Sequence, residues 1–142
     1  MASQIETAIQ NLQDDMRTIP GMRQAPYVPP DNIQAYPFCT AYPDSFTAKL
    51  GQPAQMYTVI YEVVLQLHVT RKDLPRAYEQ SIKYPEAVLS KLLANMTLDG
   101  VGTVVTEDGP TVNGTWQEVV WSDESTPTIA WEIRFPFKIQ AT

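Results

Sequence analysis

The sequence predicts an α+β fold: a mostly antiparallel or mixed β-sheet with an N-terminal amphipathic helix and a broken central helix packed on one face. Three observations predict it. Every odd position from Tyr57 to Val69 is apolar, and so is every odd position from Ile129 to Ile139. Alternation with period 2 marks a strand with one buried face. An apolar stripe at helical spacing opens the chain, and a second one, interrupted by Pro85, lies between the two long strands. Helix, strands, broken helix, strands is the order that sets helices against one side of an antiparallel sheet.

Ser3 and Glu6 form a capping box, after which Ile5, Ala8, Ile9, Leu12 and Met16 share one stripe. Gln4, Gln10, Asn11 and Asp14 face outward, and Pro20-Gly21 ends the helix. Met22–Asn32, with Pro26, Pro29 and Pro30, reads as a short strand at Arg23–Val28 followed by a stiff, extended turn. Ala35–Tyr42 reads as a strand that Pro37 restricts to an edge or a bulge. Pro43-Asp44-Ser45 reads as a turn, Ser45–Leu50 as a short strand, and Gly51-Gln52-Pro53 as a second turn. Pro43–Pro53 then forms the tip of a long hairpin that leads into the strand Gln55–Thr70. A dozen extended residues reach roughly 40 Å, so the strand ends are expected to project beyond the core as arms.

Asp73 caps the next helix, and Leu74, Tyr78 and Ile82 share a face of it. Pro85 forces a break near Tyr84. The helix that restarts there buries Val88, Leu89, Leu92, Leu93 and Met96 and closes at Asp99-Gly100. Val101–Glu107 is a short strand, Asn113-Gly114 a turn signal, and Thr115–Trp121 a strand. Asp123–Pro127 is a polar turn. The last strand, Thr128–Gln140, carries Pro136 on its polar face, which favours an edge or a bulge there.

The 142 residues suit a single domain spanning residues 1–142. No apolar run is long enough to cross a bilayer, and the first residues lack the pattern of a secretory signal, so a cytoplasmic origin is expected. The formal charge of −6 argues against a nucleic-acid groove. Between Lys91 and Arg134 stand Asp99, Glu107, Asp108, Glu118, Asp123, Glu124 and Glu132, with no Lys or Arg. They form either a solvated acidic face or a surface that repels nucleic acid or meets a basic partner. Cys39 is the sole cysteine, which excludes an intrachain disulfide; a buried structural thiol is favoured over a reactive one.

Catalytic chemistry finds little support. One His and one Cys cannot supply a zinc site. His68 is read as an ordinary exposed strand histidine, because no local motif pairs it with a carboxylate or nucleophile. Phosphate-loop, dinucleotide and nucleophile-elbow motifs are absent from the sequence. Glu62, Glu118 and Glu132 could meet on one sheet face, as carboxylates on any sheet could. No catalytic residue, cofactor or metal is expected, and the chain is not expected to be an enzyme. Three Trp and seven Tyr either fill the core and its margins or anchor a protein–protein interface.

The order of elements resembles the tail-terminator (tail-completion) proteins of long-tailed bacteriophages. The likeness is carried by the opening helix, the proline-rich approach Pro26–Pro30 to a first strand, and the long hairpin strand. The phrase Arg71-Lys72-Asp73-Leu74-Pro75-Arg76-Ala77 opens the central helix, Leu98-Asp99-Gly100 leads back to the sheet, and Trp131–Ile139 lies in the last strand. It spans nearly the whole chain and rests on layout and residue texture. The break at Pro85 and the strand Thr115–Trp121 lie outside it.

The resemblance implies a virion protein, assembled in the host cytoplasm, that closes into a ring, commonly of six subunits. The ring caps the tail tube, ends its polymerisation, and offers its other face to the neck, connector or head-closure protein. DNA would pass through without specific binding, and no membrane or cofactor is involved. Open edge strands could add to a neighbour's sheet and direct such a ring. Candidate contacts with the tube or the next subunit are Phe46, Lys49, Trp116 and Trp121. Glu107, Asp108, Glu118, Asp123 and Glu124 are candidates for an acidic channel wall or surface. The rival readings are another head–tail adaptor, head-closure or tube component, and, from a different class, a small cytosolic ligand-binding module with a concave apolar pocket.

Overall fold

The computed structural model of the chain describes residues 3–30, 33, 35–51, 57–69, 74–104, 111–119 and 128–141. Its elements are α1 (Gln4–Arg17), β1 (Phe38–Leu50), β2 (Tyr57–Val69), α2 (Leu74–Ser81), α3 (Tyr84–Ala94), β3 (Thr103–Val104), β4 (Asn113–Val119) and β5 (Thr128–Ala141). The strands form one antiparallel sheet in the order β1-β2-β5, with β3 and β4 both on the far flank of β5. The fold is α+β, with the N-terminal helix and the broken central helix packed against the sheet.

The two alternating segments are the middle of this sheet. Tyr57 pairs with Ala141 and the ladder runs unbroken to Val69 opposite Ile129. Opposite residues share a face. Val63, Leu65 and Leu67 therefore lie beside Ile133, Phe135 and Phe137 under the helices, all buried. Pro136 belongs to a central strand. It sits opposite Glu62 on one side, and on the other falls between the ladders of β4, ending at Arg134, and β3, starting at Phe137. The flank lacks a partner there among the described residues, so the missing N–H disturbs no ladder bond on that side.

α1 starts at its capping box: Ser3 Oγ accepts from the Glu6 amide, and Glu6 reaches back to the Ser3 amide. Ala8, Ile9, Leu12 and Met16 are buried on the sheet side. Gln13 is buried among them. Its amide nitrogen donates to the carbonyls of Cys39 at 3.0 Å and Pro26 at 2.8 Å. It thereby satisfies the start of β1, which also bridges to Gln24 through the Cys39 amide. Of the strand expected over Arg23–Val28, only that bridge forms. Cys39 is fully buried, and burial pushes its thiol up, so it stays protonated beside Gln13.

The expected turn at Pro43-Asp44-Ser45 is a correction. β1 runs straight through it as one strand, with a bulge that leaves Asp44 without a ladder partner. The extra residue switches which side chains face the helices. Before the bulge these are Cys39 and Ala41; after it they are Phe46, Ala48 and Leu50, opposite Tyr61, Val59 and Tyr57. Without the bulge, Ser45, Thr47 and Lys49 would take the apolar face.

α2 ends at Ser81 and α3 restarts at Tyr84 with Pro85 in its first turn, as the sequence expects. α3 stops at Ala94, earlier than Asp99-Gly100, because Asn95 builds a separate turn. Its amide nitrogen donates to Asp15 and Asp99, while Asn11 on α1 donates to the Leu98 carbonyl at 2.9 Å. The turn passes through positive φ at Leu98, Asp99 and Gly100 and buries Leu98. Asn113-Gly114, expected as a turn, opens β4 instead.

Gly102 follows this turn and lies against β5. A Cβ there would collide with the Lys138 carbonyl and the Phe137 ring. Gly102→Ala is expected to lower stability by roughly 1–3 kcal/mol through overpacking, read as a lower urea midpoint with unchanged m. Gly114→Ala, whose Cβ meets Ile133 at an ordinary 3.4 Å, is expected to change it much less.

Candidate functional site at the open sheet edges

The helix layer is shorter than the sheet. Phe38 to Ala41 of β1 are buried, but everything from Pro43 to Leu50 is exposed. β2 changes in step: Val63 to Val69 are buried, whereas Tyr57, Ile60 and Glu62 are exposed. The outer halves of β1 and β2 thus form a hairpin arm. Phe46 is 66% exposed and Leu50 84%. The Phe46 ring leans on Tyr61, with centroids 6.0 Å apart. Lys49 projects from the opposite face, opposite Thr58, so these two candidates do not share a surface.

The bulge that sets this arrangement is held by charge. Arg134 on β5 reaches across β2 to Asp44 at 3.0 Å and to Glu62 at 3.1 Å, with Glu132 at 3.5 Å. These hydrogen bonds hold its guanidinium further above its ordinary pKa. Glu62 and Glu132 therefore do meet on one sheet face, but as partners of a cation and not as an acid/base pair. The register puts Glu118 on the other face.

Trp116 lies at the opposite end of the sheet, on β4. It packs edge-on to Trp131 at 5.4 Å and to Tyr78 of α2 at 6.3 Å. Trp131 in turn donates from its indole nitrogen to the Ser81 carbonyl at 3.0 Å. Trp116 is half-buried, so it fills the core margin and borders the surface at once. Trp121, Glu107, Asp108, Asp123 and Glu124 lie outside the described residues.

The helices expose apolar side chains that were expected in the core. Val88 and Leu92 of α3 are buried, but Leu89 is 47% exposed and Leu93 77%. Leu74 and Tyr78 of α2 and Ile82 just after it, which share a face, are about half exposed, while Ala77 and Ser81 are buried. A helix lying on a sheet buries one narrow stripe. The pairs 88/92 and 89/93 are adjacent stripes, and the sheet covers the first. Leu89 borders an apolar depression of about 160 Å³ that is also lined by Pro85, Val112, Gly114, Trp131 and Ile133. The doubled apolar run in α3 was the sequence signal for it.

On the face away from the helices, one end of the sheet is buried. His68, read as exposed, is fully buried. Its Nε2 lies 3.0 Å from Gln66 Oε1 and its Nδ1 2.7 Å from the Thr128 hydroxyl. The amide oxygen can only accept, so Nε2 carries the proton and Nδ1 accepts from Thr128. The Gln66 amide nitrogen continues the chain to Glu132 at 3.2 Å. His68 is thus a buried structural group. A separate open cleft of about 650 Å³ lies between the end of α1 and the α2–α3 break, lined by residues including Arg23, Tyr36, Gln80, Lys83 and Tyr84. Among the described residues, no group of three or more His, Cys, Asp or Glu could hold a metal ion.

No protein-family model matches the chain, and no curated protein matches it in sequence.

Burial lowers the His68 pKa from its ordinary 6.5 to about 4. The unfolded chain therefore takes up a proton that the folded chain refuses. Stability is full above pH 6.5 and falls as the pH drops toward 4, at up to about 1.4 kcal/mol per pH unit. Urea midpoints of the protein and of His68→Gln measured from pH 7.5 to 4 check this: the variant is expected to lose much of the slope between 6.5 and 4.

Proposed function

We propose that this chain is a structural virion protein, a tail terminator that assembles with copies of itself into a ring, caps the tail tube, ends its polymerisation and joins the tail to the neck. One observation carries the reading. The sheet outruns its helix layer, and the surplus length is an ordered, apolar-faced arm at one edge with an apolar surface at the other. Exposed apolar patches of this kind mark interaction sites. Two different patches on opposite edges fit head-to-tail association, which closes into a ring when the rotation per subunit divides a full turn. The layout of helix, hairpin, central helix and final strand supports the same reading through its likeness to tail terminators.

The partners of this reading are other copies of the chain, the tail-tube protein and a neck or connector protein. A net charge of −6 supports a channel through which DNA passes without sticking. Another neck component or a tube subunit would use the same edges and differ in where assembly stops. The cleft lined by Arg23 and Lys83 is the observation favouring the second reading, a ligand-binding module.

Light scattering over a concentration series, with negative-stain images of the same samples and of samples mixed with phage tail tubes, tests this. Closed rings, alone or on tube ends, are expected. Open-ended filaments would indicate a tube subunit. A monomer at every concentration that ignores tubes would contradict the proposal and move attention to the cleft.

A further inference from the structure

We propose that the outer edge of β1 adds antiparallel to the outer edge of β4 in a second copy of this chain, seating Phe46 of one copy in the apolar depression beside Leu89 and Gly114 of the next, with Leu50 against its rim. This deepens the reading above and rests on its claim that the partner is another copy.

Among the described residues, no other strand pairs with either edge where the contact needs it. The beginning of β1 is closed by the Gln24 bridge and by Gln13, but from Ser45 to Leu50 β1 pairs only with β2 among the described residues. β4 likewise pairs only with β5 among them. The two edges lie on opposite sides of the sheet, so one copy cannot satisfy both by itself.

Direction and face then agree. Each step from β1 through β2 and β5 to β4 is antiparallel, so β1 and β4 run in opposite directions. A second copy placed head to tail, helices on the same side, brings its β4 antiparallel to the first copy's β1. That is the more stable kind of ladder. The bulge at Asp44 puts Phe46, Ala48 and Leu50 on the helix side, and the register of β4 puts Gly114, Trp116 and Glu118 there. Phe46, Ala48 and Leu50 therefore share a face with Gly114 and Trp116, and Ser45, Thr47 and Lys49 continue the polar face of Thr115 and Gln117.

Size fits as well. A cavity of about 150 Å³ takes a benzene ring, and the depression beside Gly114 measures about 160 Å³. Gly114 lacks the side chain that would narrow its rim.

The test uses two double variants: Phe46→Glu with Leu50→Glu on the arm, and Leu89→Glu with Leu93→Glu beside the depression. All four positions are exposed, and circular dichroism checks folding. Each variant alone is expected to stay at the 16.0 kDa monomer under conditions where the unaltered protein assembles, alone or on tail tubes. Mixed one to one, they are expected to double in mass and stop, since each keeps one working surface. A mixture that stays monomeric, or an arm variant that still assembles, overturns the contact while rings of the unaltered protein would keep the terminator reading. Filaments blocked by both variants would keep the contact and overturn that reading. As a second measurement independent of the charged variants, Leu50→Cys and Leu89→Cys proteins are mixed and oxidised, with Cys39 buried. The mixed disulfide is expected to dominate; self-paired products dominating would overturn the contact.

Discussion

The whole molecule depends on the pairing of β2 with β5. Both strands are apolar at alternate positions over their full length, so a single register puts both apolar rows on one side. That side is the floor on which α1, α2 and α3 rest, through Leu12, Met16, Val88 and Leu92 among others. Each fully buried large side chain on this floor contributes roughly 1.5–3 kcal/mol. β1 flanks this pair on one side, and β3 and β4 flank it on the other. The same pairing creates the surplus: a ladder this long extends past the helices that cover it.

The surplus is shaped rather than left loose. Gln13 and Gln24 close the first part of the β1 edge, so pairing with another chain is denied there. Beyond Pro43 a bulge corrects the facing of the arm, and Arg134 ties Asp44 to the middle of the sheet. Exposed pairs of this sort are individually weak, about 0–1 kcal/mol. Here the extra residue of the bulge and two carboxylates converge on a single guanidinium, and the bulge is what keeps Phe46 and Leu50 on the apolar side. A strand edge with apolar residues on one face is a liability unless something covers it, which is the physical ground for reading it as an assembly surface.

Much of this fold was legible because it is local. The capping box at Ser3, the break before Pro85 and both alternating strands follow from neighbouring residues. Pro43-Asp44-Ser45 misled because Pro, Asp and Ser are turn residues, and only the distant partners Val63 and Glu62 turn them into a bulge. The change of parity from Cys39 and Ala41 to Phe46, Ala48 and Leu50 was nonetheless visible in the sequence. His68 could not be read as buried, since alternation places it on the polar face and its partner Thr128 is remote. Of the candidate contacts, Phe46 was legible as an aromatic at a hairpin tip. Leu89 and Leu93 were not, because a sequence shows that a helix has two apolar ridges but not which of them the sheet covers.

The most direct measurement of the central claim is amide hydrogen exchange, read segment by segment, in dilute and in assembled protein. Val63–Val69 should exchange slowly in both states, because β2 there is buried between two strands. Ser45–Leu50 and Asn113–Val119 should exchange quickly when dilute and slow together on assembly. Equal exchange of both edges in the two states would contradict the account, since these edges would then not be the surfaces that meet.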